Sequence, residues 1–312
     1  MEPRNIDEGT MQAIPKVAAI CVNWNGKGYV REALESVLAS DYPRLDLLVV
    51  DNGSSDGSAA EIPSGTSLLQ LAGNYGYGEA LNRGIEFIER DQPENPPTFY
   101  LALNNDLYLE KDTVSALVRF AQGRAPGITG PAIVQADNPG ILEAAWGEMS
   151  WSHVLTRLRG KNAEADSPPW NEPAENVVLL GSIMLIHRDL IDAGIRFDPL
   201  FFMYHEEVDF ISQAAHKGFS TYYFPGARAN HLVGKGTRND PLKKTYWIRR
   251  NSIYFLRKEK AGPGKWVKCL GTMVSGMIYA VATLRLKRAR AIGMALLDGF
   301  RKSSENQGKL DP

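Results

Sequence analysis

Three short apolar runs, each stopped by a cluster of polar residues, constrain this chain more than any other feature. VAAICV at 17–22 ends in Asn23-Trp24-Asn25-Gly26, LDLLVV at 45–50 ends in DNGSSDG, and the run at 99–103 ends in Asn104-Asn105-Asp106. Between them, residues 29–39 place Val30, Ala33, Leu34, Val37 and Leu38 at helical spacing, and residues 77–90 do the same with Leu81, Ile85 and Ile88. Strands alternating with helices make βαβ units and a parallel sheet. In open sheets of that kind a ligand sits at the carboxyl ends of the strands. All three polar clusters lie there, so they are expected to build one site.

A third short strand is expected at 67–71, a helix start near Ser58 and a helix over 111–122. The stretch 137–176, rich in Pro, Asn, Trp and acids, reads as loops or short irregular elements. Strand character returns over 177–186, and a helix follows from Arg188 to Ala193. HEEVD at 205–209 opens another helix, with Val208, Ile211 and Ala215 on one face. TYYFPGARANHLV reads as a further strand and its exit loop.

At 312 residues the chain can bury a large core. Its two cysteines, Cys21 and Cys269, argue against a disulfide framework and for a reducing compartment. The N-terminal residues carry no apolar secretory core, and no apolar stretch reaches the ~20 residues of a spanning helix. The net charge of −1 hides an asymmetry: 17 Lys/Arg stand against three acids between Lys235 and Lys302, which gives +14 there and −15 elsewhere. A basic C-terminal third calls for an anionic partner. Nucleic acid, nucleotide phosphate and anionic lipid all answer to that chemistry.

The polar clusters divide by chemistry. In DNGSSDG an acid at a strand end is followed by a turn of small residues, which lets backbone N–H groups approach a ligand. An acid there suits a base or ribose better than a phosphate; an ordinary Asp/Gly/Ser turn would look the same. GKG at 26–28 and GNYGYG at 73–78 match neither a Walker loop nor G-x-G-x-x-G, so a dehydrogenase is disfavoured. In Asn104-Asn105-Asp106 only Asp106 offers a charged oxygen. A hard divalent cation takes one or two carboxylates plus waters and phosphate oxygens, so a second protein ligand is needed, and His231 is the candidate. Lys235 and Arg238, between glycines, suit a mobile phosphate clamp. Glu206, Glu207 and Asp209 at a helix start exceed what capping needs, and paired buried carboxylates suit a general base.

VNWNG, VVDNGSSDGS, NYGYGEALNRGI, LALNND, FDPLFFMYHEEVDF and YYFPGARANHLVG, in that order over residues 16–258, resemble the family 2 inverting glycosyltransferases, closest to rhamnosyltransferase-like members that build surface polysaccharides. The resemblance implies an α/β fold of the GT-A type: one domain over 16–258 with a mostly parallel central sheet, after a tail at 1–15 and before a basic helical appendage at 259–312. It implies a nucleoside-diphosphate sugar donor held through a divalent metal, Mg²⁺ or Mn²⁺. By position, Asn23, Asp51 and Asn25 would sit by the nucleoside. Asn74, Gly76, Asn82 and Arg83 would line the donor pocket with Asn105, and Lys235 and Arg238 would meet the phosphates. Asp106 matches the last acid of the family's D-x-D signature, here reduced to N-N-D, and His231 a histidine that completes the metal shell. Glu207 falls where the catalytic base falls. The pair Glu206-Glu207 replaces the usual E-D, which leaves Glu206, Glu207 and Asp209 as alternatives.

L-rhamnose from dTDP-rhamnose is the expected donor and a glycan or glycolipid hydroxyl the acceptor. A UDP-sugar-dependent galactofuranosyl, N-acetylglucosaminyl or glucosyl transferase is the alternative, and a non-catalytic sugar-nucleotide-binding module the alternative from another class. Residues 269–284 carry no charge between flanking Lys and Arg, with Trp266, Leu270, Met273, Met277, Val281 and Leu284 at helical spacing. That pattern suits an interfacial helix meeting anionic lipid; packing on the catalytic domain or in a homodimer is the alternative. A cytoplasmic enzyme at the inner face of the plasma membrane is expected, with no nucleic-acid partner.

Overall fold

The computed structural model describes residues 14–150, 155–232 and 240–301. Strands β1 (Val17–Asn23), β2 (Leu45–Asp51), β3 (Ser67–Gln70) and β4 (Phe99–Asn104) lie side by side in the order β3-β2-β1-β4, all parallel. Helices α1 (Val30–Leu38) and α2 (Tyr77–Asp91) make the crossovers. Each covers a different set of strand side chains. Ile20, Val22, Val50 and Ala102 pack with Leu81 and Ile85 of α2, while Ala19, Cys21, Val49 and Leu103 pack with Val30 and Leu34 of α1. Burial on both faces is why these strands read as continuous apolar runs and not as alternating ones.

Past β4 the chain forms β5 (Leu107–Leu109), α3 (Thr113–Gln122) and β6 (Gly127–Gln135). Next come β7 (Asn138–Ala144), β8 (Trp146–Ser150), β9 (Leu155–Arg159) and β10 (Ala174–Glu175). Then follow β11 (Ile183–His187), α4 (Arg188–Asp192), α5 (Glu206–His216) and β12 (Ser220–His231). β11 runs antiparallel between β4 and β6, and β6 and β12 are parallel to each other, so the long strands are mostly parallel. The expected fold class holds.

Three expectations for local structure do not. Residues 137–176 contain a two-stranded β8–β9 hairpin and the strand β7 on the sheet edge, in place of loops. Their strands carry polar and apolar residues without clean alternation, because much of each is exposed. The helix near Ser58 is a single 3₁₀ turn, Ser58–Glu61. Strand 177–186 shortens to β11, since Leu180, Gly181 and Ser182 line a cleft instead.

The remaining helices are α6 (Pro241–Lys258), α7 (Pro263–Ala282) and α8 (Leu286–Phe300). Asp240 caps α6 by accepting from the N–H groups of Leu242 and Lys243, and Pro241 occupies its first position. Ile253, Phe255, Cys269, Met273 and Ile292 bind the three helices together and reach Phe201 and Val208 of the α5 region. No helix among the described residues is long and apolar enough to cross a membrane.

Candidate functional site

Strand register assembles the floor of the site. Asn23 pairs with Asp51 and Val22 with Asn104, so three strand ends finish level. Asn23 is fully buried. Its amide donates to Asp51 (2.9 Å) and Ser58 (3.0 Å), and its oxygen accepts from Asn105 (2.8 Å). Asp51 also accepts from the Ser54 hydroxyl at 2.6 Å. The Asn105 amide that interrupts the apolar run therefore has a partner, and it ties the third strand end to the first. Asn25, at φ 52°, accepts from the Ser55 N–H and holds the DNGSSDG turn against this floor.

A cleft of about 370 Å³ opens above it. Of the residues singled out from sequence, Asn74, Gly76, Asn105, Asp106, Glu206, Glu207 and His231 line it. A Cβ at Gly76 (φ 87°) would stand 2.3 Å from the Phe202 carbonyl oxygen, so the wall closes only around glycine there.

Asp106 and His231 meet because β5 folds back on the end of β12. Leu107 pairs with His231, and the Leu232 N–H donates to the Asp106 carbonyl at 3.0 Å. His231 Nε2 lies 3.2 Å from Asp106 Oδ1. Both atoms are buried, and neither finds an aligned hydrogen-bond partner among the described residues. The other ring nitrogen, Nδ1, meets Glu143, which orients the ring as carboxylates orient metal-binding histidines. Burial alone would lower the imidazole pKa, but Asp106 and Glu143 outweigh it and push it up to about 9. A separation near 3 Å is roughly the edge between neighbouring ligands ~2.1 Å from an octahedral cation, so the pair fits a divalent ion. Among the described residues no group of three or more His, Cys, Asp or Glu could hold one. Further ligands would have to come from substrate oxygens and water, the usual way Mg²⁺ is held.

Opposite stands the start of α5. Tyr204 (φ 65°) and His205 (φ 71°) are consecutive left-handed residues, a costly turn for non-glycine side chains. Asn251 of α6 stabilises it by donating to the carbonyls of Met203 (2.8 Å) and Tyr204 (2.6 Å). The turn delivers Glu206 and Glu207 side by side to the cleft. Burial raises both carboxyls, and the charge of Glu207 raises Glu206 further. Backbone N–H groups at the helix start work the other way on Glu207. Of the two, Glu206 holds its proton to the higher pH, and Glu207 is the first to give its proton up. Glu206 Oε2 and the Tyr77 hydroxyl are buried without hydrogen-bond partners among the described residues.

Two consequences can be measured. A carboxyl with a raised folded-state pKa contributes its stability fully below the ordinary carboxylate range and loses it as pH rises through the raised value. Glu206→Gln is therefore expected to raise Tm at pH 7 by roughly 1–2 °C, about what 1 kcal/mol is worth at this chain length, and to leave it unchanged near pH 4. An equal Tm gain at both pH values in thermal melts would refute the assignment. Gly181 packs under the same pair: a Cβ there would lie 2.9 Å from Glu207 Cβ. Gly181→Ala is expected to displace Glu207 and lower kcat about tenfold or more in steady-state assays, with the fold retained.

Several residues named from sequence lie elsewhere. Asp209, a candidate base, is fully buried and bonded to Lys258 (2.8 Å) and Gln213 (2.7 Å), some 200° around the helix from Glu207. That ion pair gives it a structural task. Asn82 clamps the backbone of Phe197 with two hydrogen bonds, and Arg83 pairs with Glu79 and stacks over Tyr75, so neither lines the cleft. Asn23 and Asp51 lie beneath its floor. Lys235 and Arg238 lie outside the described residues. Sequence reasoning missed Trp24, Tyr29, Asn52, Tyr77, Tyr204 and Lys244 on the walls. Lys244 is the one Lys or Arg among the described lining residues. The Asp-Pro start of α6, readable as a helix N-terminus, places Lys244 in its first turn.

Comparison with known proteins matches residues 19–168 to glycosyl transferase family 2. The N-acetylglucosaminyl-diphospho-decaprenol L-rhamnosyltransferase of Mycobacterium tuberculosis is 26% identical over 302 residues, covering 88% of this chain and 95% of that protein. Rhamnosyltransferase WbbL of Escherichia coli K12 is 19% identical over 249 residues, covering 78% and 94%. Among solved structures, mannosyltransferase PcManGT of Pyrobaculum calidifontis, in complex with GDP-Man and Mn²⁺, superposes with a TM-score of 0.55 at 16% identity, covering 92% of this chain and 74% of that one. That likeness is one of fold.

Proposed function

We propose that this protein, a glycosyltransferase whose residues 19–168 match glycosyl transferase family 2, transfers L-rhamnose from dTDP-rhamnose, with inversion, to a hydroxyl of N-acetylglucosamine carried on a lipid diphosphate. One observation carries the mechanism: Asp106 and His231 at the strand ends and the carboxyl pair Glu206-Glu207 line a single cleft. The sugar rests on the names of the two bacterial relatives and the acceptor on the name of the mycobacterial one; the dTDP carrier rests on the family resemblance of the sequence motifs.

In this reading Glu207 takes the proton from the acceptor hydroxyl. The oxygen attacks the anomeric carbon from the face opposite the diphosphate, and the bond to the diphosphate breaks with its electron pair on the leaving oxygen. A single displacement inverts the centre. Glu206, protonated, keeps a second negative charge away from the base. Asp106 and His231 would hold a divalent ion, Mg²⁺ or Mn²⁺, whose positive charge stabilises the departing diphosphate. Lys244 adds a cation on the same wall, and Lys235 and Arg238 remain candidates for the phosphates. Trp24, partly exposed at the end of β1, offers an aromatic face to a nucleobase.

A panel of dTDP- and UDP-sugars tests the donor by thermal stabilisation with and without Mn²⁺. dTDP-rhamnose with metal is expected to raise Tm by about 2 °C or more at saturating concentration. A larger shift with a UDP-sugar would move the assignment to that donor, and equal shifts without metal would remove the roles given to Asp106 and His231.

A further inference from the structure

We propose that the outer face of α7, together with the cations at the α7–α8 turn, is a docking surface for an anionic phospholipid bilayer. The helix has two unlike sides, and much of the stripe expected from sequence to meet lipid turns inward instead, since Trp266, Met273 and Met277 pack with the core that α6 and α8 share. Cys269, Met273 and Ala280 are buried against the neighbouring helices. On the other side Val267, Val274, Ile278 and Val281 are exposed, at 71%, 43%, 62% and 52%. They recur at helical spacing and form a stripe about 21 Å long. A row of four exposed β-branched residues, flanked by Gly271 and Ser275, is a costly face to leave in water.

Charge selects the occupant. Between Lys260 and Arg290 the chain has seven Lys or Arg and no acid. Lys268 is exposed at one end of the stripe; Arg285, Lys287, Arg288 and Arg290 are exposed at the other. An apolar strip bracketed by cations matches the boundary between acyl chains and anionic headgroups. A second copy of this chain, packed face to face through the same strip, would set these cations against themselves. With no helix among the described residues able to cross a membrane, the contact is peripheral.

Placement relates this surface to the cleft. Trp266 stacks on Phe300, and Gly276 approaches Ile292, so α7 and α8 run antiparallel. Ala291 and Met294 of α8 pack around Trp247 and Tyr204, and Tyr204 lines the cleft with Lys244. Helix α8 thus joins this surface to the packing beside the cleft. The proposal rests on the surface itself and not on the transfer reaction.

The test is flotation of the full chain with phosphatidylcholine vesicles and with vesicles of equal parts phosphatidylcholine and phosphatidylglycerol, with no donor or acceptor present. Binding is expected to the anionic vesicles alone and to weaken with salt. Ile278→Glu is expected to reduce it on the order of tenfold or more. Arg288→Ala/Arg290→Ala leaves the strip intact and is expected to cost about fivefold per cation. All three side chains are exposed, and melting curves check that the variants fold. Absence of wild-type binding to anionic vesicles, or unchanged binding by both variants, would overturn the proposal. So would a lipid-free dimer that Ile278→Glu dissolves. Loss of transfer activity would leave the flotation result untouched, so the two readings fail separately.

Discussion

Glu207→Gln is expected to lower kcat by about 10²–10⁴-fold, the usual contribution of a positioned general base, while donor binding stays at the wild-type level. The substitution keeps the volume and the backbone hydrogen bonds of the α5 start but cannot accept a proton. Glu206→Gln separates the roles within the pair. It leaves the charge on Glu207 and is expected to retain most of the activity, with the Tm gain described above. Steady-state rates for the two variants beside donor-induced melting shifts make the comparison. Near-normal turnover in Glu207→Gln, or a loss confined to Glu206→Gln, would move the base to the neighbouring residue.

Asp106→Asn is the second large effect. The turn that leaves β4 carries two asparagines before Asp106, so the aspartate is its sole negative charge. Replacing it gives Asn-Asn-Asn with its hydrogen-bonding shape kept. His231 retains Glu143 but loses the carboxylate charge 3.2 Å away. Altering residues that merely orient a metal ligand typically costs 10–100-fold in affinity; removing the charged ligand itself is expected to cost about 100-fold or more in Mn²⁺-dependent donor binding. Asn104→Ala, at a position that supplies no charge, is expected to cost far less. Calorimetric titration of donor at fixed Mn²⁺ reads both. Equal losses in the two variants would show that packing of the turn, and not its charge, supports binding.

The parallel half of the sheet was legible because its strands are buried on both faces and are punctuated by polar residues where the strands stop. The same punctuation marks out Asn23, Asp51 and Asp106 as candidates. Less visible was the division of labour among them: Asn23 and Asp51 spend their polar atoms on each other and on Ser54 and Ser58, a network that strand pairing creates. β7, β8 and β9 escaped because half-exposed antiparallel strands carry mixed residues. Three acids in four residues look alike in sequence, so Asp209 reads there as a possible base beside Glu206 and Glu207. Lys258, 49 residues further on, claims it. Asn52, one residue past Asp51, projects to the other side of the strand end, where it bonds Asn74 and the Gly76 carbonyl. Alternation along the strand could have pointed to it. The pairing of His231 with Asp106 depends on β5 turning back onto β12, a contact across more than 120 positions that local pattern does not encode.

In the proposed reaction one cleft performs an inverting sugar transfer. The most direct measurement is proton NMR of the product formed from dTDP-rhamnose and an N-acetylglucosaminyl-diphospho-lipid analogue with Mn²⁺ present. The expected result is a disaccharide whose rhamnosyl anomeric configuration is opposite to that of the donor, formed by the wild type and absent with Glu207→Gln. A product of retained configuration, or wild-type-level product from Glu207→Gln, would contradict the account.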